Sequence, residues 1–273
     1  MTAVGRWVLG GLLVLGSAAM VSPIAYAFVN SIEPTGVAFR LPPVWLPHHV
    51  TLENYRLLFS SIPFAQNLLN SVVVTVAVVV GSTCVSVLAA YAFARLRFRG
   101  SGVLFGVMLA ALMIPTQIAA IPEFIIVKHL HMINTLWSLI VPALIQVFGL
   151  FLLRQHFKTI PRDVEDAIRV DGGGHFAVLR HAIVPLSWPA IAAVCIITGQ
   201  YIWNDFFWPN LFISSTGTMV APLALVSFSS ANGEGAVGPV FAGITLLLVP
   251  IVIAFVFLQR RLTESVGFAG ISR

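Results

Sequence analysis

The chain has 273 residues, of which 58% are hydrophobic and only 9% charged, with a mean hydropathy of +0.96. Soluble domains carry about 25% charged residues, so this composition excludes a water-covered globular fold. The net charge of +5 and the pI near 9.8 would suit nucleic acid if the basic residues shared one soluble face, but they sort by loop instead.

A helix needs about 20 apolar residues to cross the hydrocarbon core. Six windows meet that length, in chain order 7–29, 71–94, 103–121, 136–153, 182–206 and 240–258. The first follows Arg6 and ends near Ala25-Tyr26-Ala27, as a cleavable signal would. Its apolar run exceeds the roughly 7–15 residues of a signal core, so an uncleaved first span is expected. The loop over 30–70 contains Pro34, Pro42, Pro43, Pro47 and Pro63 and reads as mostly irregular, with a short helix near 52–59. In the fifth window, Pro185 and Pro189 interrupt the start and Asn204-Asp205 the end. Beyond it, Ser214-Ser215-Thr216-Gly217 and Asn232-Gly233-Glu234-Gly235 are turn signals. Cys84 and Cys195 lie in apolar stretches without a CxxC partner or a His at ligand spacing, and read as small buried residues. The expected fold is an all-α membrane protein of six transmembrane helices, forming a single transmembrane domain over 1–273.

The basic residues fix an orientation. With the N-terminus inside, inner segments hold Arg6; Arg95, Arg97 and Arg99; Arg154, Lys158, Arg162, Arg169 and Arg180; and Arg260, Arg261 and Arg273. Outer segments hold only Arg40, Arg56 and Lys128, which completes the 15. Short cytoplasmic loops retain positive charge, so both termini are predicted inside. The basic pI is a topology signal.

The large inner segment, 154–182, carries the most pattern. Pro161 suits the first turn of a helix, and Asp163, Glu165 and Asp166 follow where the helix dipole favours negative charge. Val164, Ala167 and Ile168 share one face. Gly172-Gly173-Gly174 stops the helix, and a second helix is expected from His175, with Phe176, Leu179 and Ile183 on one face. Such a short helix across the inner ends of the spans is either a docking element for a cytoplasmic partner or an interfacial connector. Residue physics leaves both open.

The same stretch resembles the signature of ATP-binding-cassette (ABC) importer permeases: a Glu-Ala-Ala triplet, a glycine six residues after the Glu, and an Ile-x-Leu-Pro ending. Asp166-Ala167-Ile168 occupies the triplet, Gly172 the glycine, and Ala182-Ile183-Val184-Pro185 the ending, while Asp171-Gly172-Gly173 matches an Asp-Gly-Ala. Asp for Glu and Ile for the second Ala are departures that keep charge or apolar character. Leu52-Glu53-Asn54-Tyr55, Asn70-Ser71, Ala90-Tyr91-Ala92-Phe93-Ala94-Arg95 and Trp203-Asn204-Asp205-Phe206-Phe207-Trp208-Pro209 are similar, in order, to the carbohydrate-uptake, maltose-type branch.

That resemblance implies a transport subunit of a bacterial inner membrane, working with a second, non-identical permease, two cytoplasmic ATPases and an extracytoplasmic solute-binding protein. The chain lacks GxxxxGK[ST], so ATP and Mg belong to the partner ATPases; neither an enzyme site, a metal site nor a nucleic-acid partner is expected. ATPase coupling falls to Glu165, Asp166, Ala167, Ile168, Arg169, Asp171, Gly172 and Gly173. Intramembrane polar groups are costly and mark solute paths, which singles out Gln117, Gln146, Gln200, Trp203, Asn204, Asp205 and Trp208. The expected solute is a di- or oligosaccharide. Alternatives are a glycerol phosphate or its diesters in the same type of importer, or an ion-coupled secondary transporter, which would show intramembrane ionisable residues and matched halves.

Overall fold

The computed structural model describes residues 3–34 and 45–268, with side chains at 5–34, 45–233 and 235–253. Arg40, Pro42, Pro43 and Arg273 of the loop and charge patterns lie outside the described residues, as do the side chains of Arg260 and Arg261. Among the described residues every regular element is helical. An apolar chain in lipid requires this, because a helix satisfies its backbone hydrogen bonds within itself.

Helices α1 (Ala3–Ser31), α2 (Glu53–Ser61) and α3 (Phe64–Arg95) open the chain. They match the first two windows and the short helix expected near 52–59. At about 1.5 Å per residue, α3 extends about 48 Å, well past the hydrocarbon core. Helix α14 (Val237–Phe268), 32 residues long, closes the chain, and Pro23 in α1 and Pro250 in α14 are accommodated inside the helices.

The middle windows are broken where proline removes a donor and crowds the preceding turn. The third becomes α4 (Ser101–Ala111) and α5 (Ala120–His129), joined through Pro115 and a 3-10 turn at Thr116–Ala119, with a 96° bend. The fourth becomes α6 (Trp137–Ile140) and α7 (Val147–Thr159), parted by a 3-10 turn at Pro142–Leu144. Then follow α8 (Asp163–Val170), α9 (His175–Val178), a π-helical turn at Leu179–Ile183 and α10 (Val184–Leu186). The run His175–Leu186 meets α11 (Trp188–Trp203) at a 77° bend, with Pro189 in the first turn of α11. Short α12 (Phe207–Phe212) and α13 (Ala221–Asn232) complete the list. Gly5–Ser31, Phe64–Arg95 and Trp137–Thr159 are each long and apolar enough to cross a membrane alone, and each bent pair adds one more if it counts as a single span.

The chain forms two compact units. The first comprises Met1–Leu68 and Ala221–Ala254, with a core of Leu58, Phe64, Ala221, Leu225, Phe228 and Ala236. Within it the buried Asn54 amide donates to Ser31 O at 3.1 Å and Glu33 O at 2.6 Å, closing the end of α1. Tyr55 and Ser31 share a 2.9 Å hydroxyl contact.

The second unit comprises Leu69–Val220 and Phe255–Arg273. Its core joins Val87, Ala90 and Tyr91 of α3 to Leu153 and Phe157 of α7, to Val178, Leu179 and Ile183, and to Ile191 and Val194 of α11. The turn at Ser214-Ser215 is held by Asn134, whose side-chain oxygen accepts from Ser214 N at 3.0 Å and Ser215 N at 2.9 Å. Asn134 itself has φ +61°, which an Asn tolerates because its short polar side chain bonds locally. Cys195 is half-buried beside Thr83, but Cys84 is exposed on α3, so only one of the two is covered by protein. Lipid solvates a small apolar thiol as readily as a protein core does, so composition could not separate the two.

Candidate functional site

Helix α8 is eight residues long, and its two ends are built differently. Pro161 lies just before the helix, with Arg162 as N-cap, and so two positions ahead of the first helical turn in which the sequence reading placed it. Asp163, Glu165 and Asp166 occupy the first turn. At the other end Gly172 adopts φ +84°, a conformation only glycine enters without a steric penalty. Gly172 N donates to Arg169 O at 3.0 Å and Gly173 N to Ile168 O at 2.8 Å. These are the paired bonds of a Schellman cap. A Cβ on Gly173 would stand 2.8 Å from Ile168 O, so both glycines are required, and the helix stops where the glycine run predicts.

The two faces of α8 differ from what the apolar spacing suggests. Val164 and Ala167 are exposed, and of the apolar set only Ile168 packs against the core. The buried residue is Glu165. Its carboxylate meets Arg95 of α3, Nε to Oε1 2.5 Å, with the two side chains 5% and 4% exposed. The geometry is that of a charge pairing and not of an aligned hydrogen bond. Arg169 stands 3.8 Å from the other carboxylate oxygen, one turn along. Arg95 also donates from Nη2 to Ile160 O at 2.6 Å, and so satisfies a carbonyl just ahead of α8.

Behind the glycines, His175 Nδ1 and the Tyr91 hydroxyl share a 3.2 Å hydrogen bond. Val178, Leu179, Ala182 and Ile183 are buried, whereas Phe176 is 71% exposed; the expected Phe176 face is therefore only half right. Arg154 strengthens the same end of α3, donating from Nε to Phe93 O at 3.2 Å while its guanidinium lies 3.7 Å over the Phe105 ring. Asp166, Ala167, Val170, Asp171 and Gly172 all face outward, Val170 being 87% exposed. Of the residues expected to serve coupling, the structure gathers all on α8 and its cap. Glu165, however, points inward, and Gly173 and Ile168 serve the cap and the core.

Sequence reasoning did not single out Arg95, Tyr91 or His175 here. Arg95 counted as a topology charge and, with Tyr91, as part of the run at 90–95 that carries the resemblance, with no partner assigned to either. The one available signal was the three acidic residues in the first turn of α8 together with Arg95 at the end of a long apolar helix.

The path residues are less unified. Gln117 is exposed in the 3-10 turn, and Gln146 bonds locally to Ala143 O at 3.2 Å. Gln200 and Asn204 are exposed at the end of α11, linked by Asn204 Nδ2 donating to Gln200 O at 2.8 Å. Trp203, between them, is turned inward at 7% exposure. Asp205 Oδ1 accepts from Phe207 N at 3.0 Å, an N-terminal turn contact for α12, and Trp208 stacks on Phe212 at 5.6 Å. The segment 200–208 thus offers two exposed amides at the end of α11, followed in the chain by the Trp208–Phe212 stack.

The family described as "Binding-protein-dependent transport system inner membrane component" matches residues 82–267. The sn-glycerol-3-phosphate transport system permease protein UgpE of Salmonella typhi is 32% identical over 259 residues, 91% of either chain. The arabinooligosaccharides transport system permease protein AraQ of Halalkalibacterium halodurans is 29% identical over 271 residues, 97% of either chain. A crystal structure of a bacterial ABC transporter that imports the acidic polysaccharide alginate matches in fold, with a TM-score of 0.81 and 23% identity, over 95% of this chain and 98% of that one.

Proposed function

The chain belongs to the family of binding-protein-dependent transport system inner membrane components, and on that premise we propose that it is the solute-path permease of an ABC importer, coupled to cytoplasmic ATPases through α8. It is a transport component of the inner membrane and not an enzyme. The two relatives named for glycerol phosphate and arabinooligosaccharide uptake, each aligned over more than nine-tenths of this chain, support reading 1–273 as one permease domain. The ion-coupled alternative gives way to the family assignment.

The proposed arrangement has six spans with both termini inside. Its support is the sorting of Lys and Arg by loop, together with α1, α3, the Trp137–Thr159 stretch, the two bent pairs and the long α14. Segment 154–182 is then cytoplasmic, and the 30–70 loop is outside. The partners are a second permease, two ATPases that hold ATP and Mg, and an extracytoplasmic binding protein.

The observation that carries the coupling role is the two-sidedness of α8. One side is fixed to α3 through Glu165 and Ile168. The other presents Asp166, Ala167, Val170 and Asp171 with nothing of this unit over them. A short helix rigidly capped by Gly172 and Gly173 transmits displacement without unravelling. Nucleotide-driven closure of the ATPases would bias it between two positions, and the bundle between inward- and outward-facing states.

For the solute, a di- or oligosaccharide is the first reading, since the exposed amides of Gln200 and Asn204 suit hydroxyl groups and Trp208, in the same segment, offers an aromatic face. A glycerol phosphate or its diester is the second, favoured by the relative at 32% identity. Reconstitution with the two ATPases, the second permease and the binding protein tests the role: uptake should require ATP and all components. Uptake by this chain alone under an ion gradient would end the proposal. Calorimetric screening of sugars and glycerol phosphates against the cognate binding protein separates the two solutes.

A further inference from the structure

Helix α8 is fastened to one particular helix that is remote in sequence. Arg95 at the end of α3 and Glu165 in α8 are both buried and oppositely charged, with Nε and Oε1 2.5 Å apart. The same Arg95 holds Ile160 O ahead of α8 at 2.6 Å. One turn back along α3, Tyr91 holds His175 behind the glycine cap at 3.2 Å. Arg169 also reaches toward both Glu165 and the Tyr91 hydroxyl. The last turn of α3 therefore grips the interfacial helix before, along and after its length, with Ile168 packed on the core beneath.

Resting on the coupling reading above, we infer that Arg95 and Glu165 are positioning residues that form a transmission joint, delivering the displacement of α8 to α3 rather than only to its chain neighbours α7 and α11. Glu165 is on this account not a contact for the ATPase. A buried pair of this kind tolerates the loss of neither partner, because the remaining charge is left without compensation. That is a poor way to gain stability but an effective way to fix a register between two elements. Load entering at Val170 and Asp171 reaches the long α3 through a short, water-excluded contact. Two rigid helices then move as one body, and α3 is the element whose length carries the motion into the bilayer.

The test uses the complete complex reconstituted in liposomes, with solute uptake and ATP hydrolysis measured together. Arg95→Gln should leave the ATPases co-purifying and hydrolysing ATP, while solute moved per ATP falls roughly tenfold, within the usual range of a coupling free energy. The conservative variant Arg95→Lys, which keeps a positive charge for Glu165 and a donor for Ile160 O, should recover most of that ratio, which a purely structural loss would not do. Unchanged transport per ATP in Arg95→Gln overturns the joint. So does an assembled Arg95→Lys variant that stays uncoupled, which also decides the matter if Arg95→Gln fails to accumulate. Loss of ATPase co-purification in Glu165→Gln but not in Arg95→Gln would make Glu165 a direct ATPase contact and overturn it as well. By contrast, if the exposed-face variant Val170→Asp keeps its ATPases and full coupling, the coupling reading itself has failed, not the joint alone.

Discussion

Gly238 and Asn54 pack so closely that a Cβ at Gly238 would stand 2.8 Å from the Asn54 Cγ. The Asn54 side chain cannot yield, because its amide is held by Ser31 O and Glu33 O at the end of α1. The last carbonyls of a helix have no partner within it, and Asn54 supplies one from a helix more than twenty residues on. Gly238→Ala should therefore destabilise the first unit by about 1–3 kcal/mol through overpacking. Asn54→Ala should cost about 1–3 kcal/mol for the orphaned carbonyls. Thermal unfolding in detergent measures both, and an unaltered midpoint for Gly238→Ala would show that the contact is soft.

Gly172→Val places a β-branched residue at φ +84°, at a cost of roughly 1–2 kcal/mol from left-handed geometry, with more from the branch. In the proposed topology the cap of α8 lies in a cytoplasmic loop outside the spans, so membrane insertion should be normal. Stimulation of ATP hydrolysis by loaded binding protein should fall at least about tenfold. Hydrolysis stimulated as in the parent protein would remove the rigid cap from the mechanism.

Orientation follows from labelling. With Cys84 and Cys195 changed to Ser, a single cysteine at position 128 should react with an impermeant maleimide in intact cells, and one at 158 only after permeabilisation. The opposite pattern would invert the six-span topology.

At the end of α11, exposure separates two kinds of residue. Gln200→Ala and Asn204→Ala should lower solute uptake several-fold, since a site built to hydrogen-bond hydroxyls suffers when its donors are removed, while leaving thermal stability near that of the parent. Trp203→Ala should do the reverse, costing on the order of 3 kcal/mol in stability, because Trp203 is buried at 7% exposure. Uptake kinetics together with melting curves distinguish the two. Equal melting losses for all three would reassign Gln200 and Asn204 to packing.

The long apolar runs were plain in the sequence, since hydropathy alone marks α1, α3 and α14. The glycine stop of α8 was equally legible, because Gly172 needs a backbone region that other residues avoid. The bends were not, although Pro115, Pro142, Pro185 and Pro189 were visible: a proline can kink a helix, end it or sit harmlessly in a first turn, and neighbouring helices decide which. Burial of Glu165 was hidden for a related reason. An acidic residue in a first helical turn reads as solvated until its partner is known, and Arg95 is contributed by a helix seventy positions away. Trp203 and Trp208 looked alike in sequence, yet half a helical turn and the break at Asn204 turn one inward and leave the other half-exposed.

In the proposed coupling role the exposed side of α8 meets a cytoplasmic ATPase. A single cysteine at Val170, the most exposed apolar position of that helix, carrying a short photoreactive crosslinker in the assembled complex, tests it most directly. The account predicts a crosslinked product with the ATPase subunit, diminished when nucleotide shifts the complex between states. A product with the extracytoplasmic binding protein, or labelling of that cysteine from outside intact cells, would contradict it.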